Sequence, residues 1–99
     1  MAGPWEFKSL TYSGHAIKQM FARSISTEEV ITVLHAGEIA TEYPDDTPYP
    51  SRLMSGRAGM RQIHVVVGYN REEMEGIVIT VYEPSVQLWD TDFKTRKPR

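Results

Sequence analysis

The stretch Arg61-Gln62-Ile63-His64-Val65-Val66-Val67-Gly68-Tyr69 decides the fold. It is short, rich in β-branched residues and apolar on both of its alternating faces, the pattern of a strand inside a sheet rather than at its edge. A second run, Ile77-Val78-Ile79-Thr80-Val81-Tyr82-Glu83, follows across Asn70 to Gly76, a polar stretch interrupted by Met74 that reads as a hairpin loop. Pairing position 67 with 79 sets Val65 opposite Val81 and His64 opposite Tyr82. One face of the ribbon then holds Ile63, Val65, Val67, Ile77, Ile79 and Val81 and needs covering. The other holds Gln62, His64, Val66, Val78, Thr80 and Tyr82, half polar, and is expected to stay open or only partly covered. A slip of two residues keeps His64 and Tyr82 on that second face.

Working outward, the whole chain of 99 residues suits one domain, 1–99, with a single modest core. The absence of cysteine removes any disulfide frame or thiolate metal site and fits a reducing compartment. The apolar runs have strand length, too short to cross a bilayer, and Met1 to Glu6 lacks the basic start and apolar stretch of a secretion signal. The expected location is therefore the cytoplasm, with no membrane partner. The net charge of −2 is unevenly spread, because Lys94, Arg96, Lys97 and Arg99 form a basic end to the tail over 84–99 and leave the rest acidic. Such a tail suits phosphate contact and also suits a solvated terminus.

Upstream, Trp5 to Tyr12 reads as either a short first strand or an irregular lead-in, with Phe7, Leu10 and Tyr12 as its buried contacts. Ser13 is an N-cap for a helix over His15 to Arg23, whose core stripe is Ala16, Ile17, Met20 and Phe21. His15, Gln19 and Arg23, four apart, stack along a neighbouring face. Ser26-Thr27-Glu28-Glu29 is a capping box for a second helix, with Ile25 and Val30 at the two positions of a hydrophobic staple. Val30, Val33 and Leu34 form its stripe, and Gly37 is placed to end it in a left-handed cap.

Beyond it, Glu38 to Tyr43 reads as a strand. Pro44 to Pro50, with three prolines, breaks regular structure. Ser51 to Ser55 reads as a further short strand closed by a turn over Gly56 to Gly59. After the hairpin, Leu88, Trp89 and Phe93 are expected to pin the tail onto the body. Helices first and an antiparallel sheet after them give an α+β domain, a two-helix hairpin packed on one face of a mainly antiparallel sheet of three to four strands.

No strong catalytic motif is present: there is no Gly-rich phosphate loop, H-E-x-x-H, G-x-S-x-G or Ca²⁺ loop. His15, His35 and His64 lack metal-ligand spacing, so neither a metal nor a cofactor is expected. His64 in an apolar strand has a structural reading as a satisfied core imidazole and a chemical one as a base beside Tyr82. His15 has a structural reading as a first-turn residue capping nearby carbonyls, and Arg23 is favoured near a helix C-terminus whether or not it binds a ligand. Tyr43, Tyr49 and Tyr82 can stack on bases or simply pack. Together, imidazoles titrating near neutrality, guanidiniums for phosphate charge and tyrosines for stacking form a kit for RNA cleavage.

Several further motifs carry a resemblance. Ser13-x-His15-Ala16 opening a helix, then Met20-x-x-Arg23-x-Ile25-Ser26-x-Glu28-Glu29-Val30, is similar to the start of a small bacterial domain family of unassigned function. The likeness continues through Gly37-Glu38-Ile39, Tyr43-Pro44, Tyr49-Pro50-Ser51-Arg52-Leu53, His64-Val65-Val66 and Ile79-Thr80-Val81-Tyr82-x-Pro84. It ends with Trp89-Asp90 and the basic tail. That family resembles the RelE/ParE toxins, whose fold packs two helices on an antiparallel sheet. Members often carry a basic residue where this chain has Gln19.

The resemblance implies a metal-independent endoribonuclease acting as the toxin of a toxin–antitoxin pair. Its partners would be RNA, free or ribosome-associated, and a cognate antitoxin bearing a zinc-finger or helix-turn-helix domain. Under it, His64 or His15 serves as general base or acid and Tyr82 orients His64 or stacks a base. Arg23 and Arg52 stabilise phosphate charge, Lys94 or Arg96 assists from the tail, and Tyr43 adds a stacking surface. The rival reading is a non-catalytic protein-binding module of the same fold, in which His64 and Tyr82 fill the sheet and the tail docks a protein. Acidic Glu38, Glu42, Asp45 and Asp46 would suit a basic partner surface and repel RNA.

Overall fold

A computed structural model describes residues 4–97; Arg99 of the basic tail and Met1 to Gly3 lie outside the described residues. The elements in chain order are β1 (Ser9–Tyr12), α1 (Gly14–Arg23), α2 (Thr27–Ala36), β2 (Glu38–Tyr43), β3 (Ser51–Ala58), β4 (Arg61–Asn70) and β5 (Glu75–Tyr82). They form one five-stranded sheet in the order β1-β5-β4-β3-β2, with the β4 run at its centre. The architecture is α+β, but the sheet has five strands rather than three to four, and it is mixed. β1 is the additional strand and pairs parallel with the start of β5, Ser9 opposite Glu75 and Tyr12 opposite Val78. Only four residues long, it carries too little alternation to be told from a lead-in.

In the β4–β5 hairpin, His64 faces Tyr82 and Val65 faces Val81, as expected, but Val67 pairs with Val78 instead of Ile79. The extra residue is a β-bulge, which reverses the side-chain alternation beyond it. Val78, expected on the polar face, is therefore fully buried in the core, while Ile79 is 38% exposed. The core face is Ile63, Val65, Val67, Val78 and Val81, covered by Ala16, Met20, Ile25, Val30 and Val33. β3 runs on to Ala58, so the turn is Gly59 and Met60 rather than Gly56 to Gly59. Gly59 has φ +65°, the left-handed conformation in which glycine meets no Cβ penalty.

α2 packs on β3 and β4, and α1 lies along β5. The capping box forms as read: the Glu29 amide donates to Ser26 Oγ at 3.1 Å and the Ser26 amide to Glu29 Oε1 at 2.9 Å. The stripe of α1 is narrower than its periodicity suggests. Ala16 and Met20 are buried, whereas Ile17 is 56% and Phe21 89% exposed, because a helix beside an end of the sheet has a partner on one side only. Gly37 takes no left-handed cap; its φ is −79°. Its role is close approach, since a Cβ there would lie 2.5 Å from the Val33 carbonyl oxygen and 2.7 Å from that of Ser55. A left-handed helix cap forms instead at Ser24, which ends α1 with φ 54°.

Arg61 fastens this corner. It donates to the Ser24 and Arg23 carbonyls, both at 2.8 Å, and pairs with Glu83 at 2.8 Å and Glu29 at 3.5 Å. It thereby satisfies carbonyls that the end of α1 leaves without helical partners.

Candidate functional site

Strand alternation and the observed registers place Glu38, Thr41, Tyr43, Leu53, Ser55, His64, Val66, Thr80 and Tyr82 on the sheet face turned away from the helices. The sequence suggests a surface there that is open or only partly covered, and the second alternative holds: the C-terminal segment returns as a small hairpin over its middle. Trp89 bridges Arg96, the Lys97 amide donates to the Leu88 carbonyl and the Asp90 amide to that of Thr95. Asp92 shapes the tip by accepting from the amides of Lys94 and Thr95, which also hold its carboxyl below the usual carboxylate range. Trp89 is buried and Phe93 half-buried, as expected of the anchoring residues, but Leu88 points outward at 50% exposure.

His64 lies under this hairpin with no exposed surface. Its Nε2 is 2.7 Å from the Phe93 carbonyl oxygen, which only accepts, so Nε2 carries the proton. Nδ1 is then the acceptor for the Tyr82 hydroxyl at 3.2 Å. Trp89 meets the imidazole edge-to-face, with ring centroids 4.6 Å apart. Burial holds the imidazole below its ordinary pKa, opposed in part by the hydrogen bond to Phe93. Both nitrogens are occupied and the neutral form is favoured: as folded, His64 is a pin between sheet and tail.

His15 has the opposite setting. The first turn of α1 holds it at the β5 side of the same face, exposed, with Nε2 3.1 Å from Thr80 Oγ1. Ser13 fixes that turn by accepting from the Ala16 amide at 3.0 Å and donating to the Ile79 carbonyl at 2.8 Å. Tyr82, half-buried, has its phenol pushed up by burial and by nearby Tyr43, and drawn down by Arg96, so these three side chains share one electrostatic neighbourhood. Arg96 also lies 5.5 Å from the centroid of the Trp89 ring. Lys94 pairs with Glu38 at 2.7 Å, and that contact raises its pKa.

The fold thus brings His15, Thr80, Tyr82, His64, Tyr43, Lys94 and Arg96 to one face. It does not bring Arg52 there. Opposite Val67, Arg52 belongs to the helix side, 5% exposed, with its guanidinium 3.9 Å from the Trp5 ring centroid and its Nε 3.2 Å from Glu42. Arg23 stands two turns beyond His15 along α1 and donates to Gln19 at 3.2 Å, so the expected row of three exists. Sequence reading missed Arg61 and the Phe93 carbonyl. The only signal for the latter was Asp92-Phe93-Lys94-Thr95, whose leading Asp suits a tight turn. Among the described residues no group of His, Cys, Asp or Glu is arranged to hold a metal ion, and no helix is long and apolar enough to cross a membrane.

Comparison with known families identifies the domain. Residues 12–83 match the family described as Domain of unknown function (DUF4258). The chain belongs to that family. The DUF4258 match starts just before Ser13 and ends at Glu83, so it takes in both helices, β2 to β5, His15, His64 and Tyr82. The Trp5 segment and the hairpin that buries His64 lie outside it. No curated protein matches the chain, and no solved structure does.

Proposed function

We propose that this DUF4258 protein is a RelE/ParE-like toxin of a bacterial toxin–antitoxin pair, a metal-independent endoribonuclease that works on the sheet face turned away from the helices. The observation that carries the reading is the exposed His15 imidazole, set beside Thr80 on a face that also presents Tyr43, Tyr82 and Arg96. The RelE/ParE likeness is supported by the helix hairpin followed by antiparallel strands. In this reading His15, rather than His64, takes the ribose 2′-hydroxyl proton. The 2′ oxygen attacks phosphorus, the bond to the 5′ oxygen breaks, and that oxygen leaves with a proton from solvent. The products are a 2′,3′-cyclic phosphate and a 5′-hydroxyl. Arg96 offsets the charge growing on phosphate. An antitoxin would be the protein partner.

The test compares His15→Gln with the wild-type chain in RNA cleavage and in toxicity on induction, with melting curves alongside. His15→Gln should lose about 10²- to 10⁴-fold in cleavage at nearly unchanged stability. Full cleavage by folded His15→Gln would sink this assignment. A second reading, a non-catalytic protein-binding module, is favoured by His64, whose two nitrogens are both committed inside the fold. Under it, the purified wild-type chain cleaves no RNA and its induction alone leaves growth unaffected.

A further inference from the structure

β2 is the outer strand at one end of the sheet. β3 occupies its inner edge, and no strand among the described residues occupies its outer edge. An unpaired edge presents a row of backbone donors and acceptors that a further strand can satisfy. Beside it, on the helix side, opens a groove of about 900 Å³ whose apolar lining includes Phe7, Leu10, Ile31, Leu34, Ile39 and Met54. Ile39 belongs to both features. It faces the helix side opposite Met54 on the outer strand, and it lines the groove at 37% exposure, as does Ile31 at 49%.

Charge narrows the occupant. From Gly37 to Pro50 the chain carries Glu38, Glu42, Asp45 and Asp46 and no Lys or Arg. Lys94 and Arg52 each answer one of these acids, and Asp45 has no ion pair among the described residues. A second copy of the chain would set one acidic edge against another, and like charges on adjoining strands repel. A helix in the groove would leave the strand edge unpaired. An extended segment satisfies the edge and sends every second side chain towards the groove.

We propose that β2 is a docking edge for an extended segment of a partner protein. The segment pairs with β2, places an apolar side chain over Ile39 into the groove, and carries Lys or Arg at neighbouring positions opposite the acidic stretch. The proposal is independent of whether the opposite face of the sheet cleaves RNA.

A displayed library of random peptides, selected on the wild-type chain, tests it. Enriched peptides should alternate apolar residues with Lys or Arg. They should bind Ile39→Asp about tenfold or more weakly and slow amide exchange in residues 38–43. Asp45→Lys, remote from the groove, should weaken the same peptides while leaving the melting curve unchanged, which covers the case of a poorly folded Ile39→Asp. Failure to enrich any peptide, helical spacing of the apolar positions, equal binding to a folded Ile39→Asp, or protection only outside 38–43 would each overturn the proposal. Concentration-dependent self-association abolished by Ile39→Asp would assign the edge to a second copy instead.

Discussion

His64, on a strand, and His15, on the first turn of α1, reach the same face of one sheet and live in opposite conditions. His64 sits on the central strand, fully buried, with one nitrogen donating to the Phe93 carbonyl and the other accepting from Tyr82. His15 stands at the flank, exposed, hydrogen-bonded to Thr80. The difference teaches that strand parity assigns a side chain to a face but leaves its access to solvent to whatever returns over that face. Here a hairpin of about ten residues, closed by Trp89 and Arg96, covers the middle and spares the edge. The imidazole in the more prominent sequence motif is held as a pin inside the fold, and the less prominent one meets solvent.

The comparison breaks most directly at Trp89. Trp89→Ala removes the aromatic wall over His64 and should destabilise by about 3 kcal/mol or more, the usual range for truncating a buried Trp. In the remaining folded molecules the His64 imidazole should titrate closer to its ordinary value of about 6.5, followed by NMR. A His64 titration that stays depressed would mean that the hairpin is not what isolates it.

His64→Gln asks for less, about 1–3 kcal/mol in urea melts, since two partners lose their geometry. It also sharpens the contrast through pH. Burial depresses the native pKa of His64, so the unfolded chain binds more protons than the native one in the interval between the two values. That contribution is fully present above the unfolded value of about 6.5 and is lost as pH falls towards the native value. Wild-type stability should therefore decline on acidification over that window, and His64→Gln should flatten the decline. An equal slope in both proteins would contradict the buried neutral imidazole.

Two smaller effects probe the His15 side. Ser13→Ala removes the cap acceptor and the donor to Ile79, costing about 1 kcal/mol, and should quicken amide exchange in the first turn of α1. Phe21→Ser, at 89% exposure, should stay within about 0.5 kcal/mol of wild type. A large loss there would place a contact on the outer face of α1.

Much of this fold was legible in local chemistry. The capping box at Ser26 and Glu29, the Ser13 cap, the β4–β5 hairpin and the proline break before β3 are each decided by neighbours a few residues apart. The bulge opposite Val67 was not legible, because Ile77, Val78 and Ile79 are all apolar and β-branched and no pattern among them marks the extra residue. Ile17 and Phe21 were misplaced for a related reason: periodicity reports which residues share a helix side, not how wide the partner surface is. Of the candidate site, His15, His64, Tyr43, Tyr82, Lys94 and Arg96 were visible as residue types. Beyond the pairing of His64 with Tyr82, their grouping was not, nor was the removal of Arg52 to the opposite face.

The sequence by itself determined the element types, the helical hairpin, the central strand and the pairing of His64 with Tyr82, since these follow from caps, turns and alternation over short spans. Tertiary structure alone decided which face each far-separated residue shares, which imidazole meets solvent, and which strand edge is left without a partner among the described residues. Those outcomes depend on contacts such as His64 with Phe93 and Arg61 with the end of α1. Both join residues 29 or more positions apart, whose meeting only the packed chain enforces.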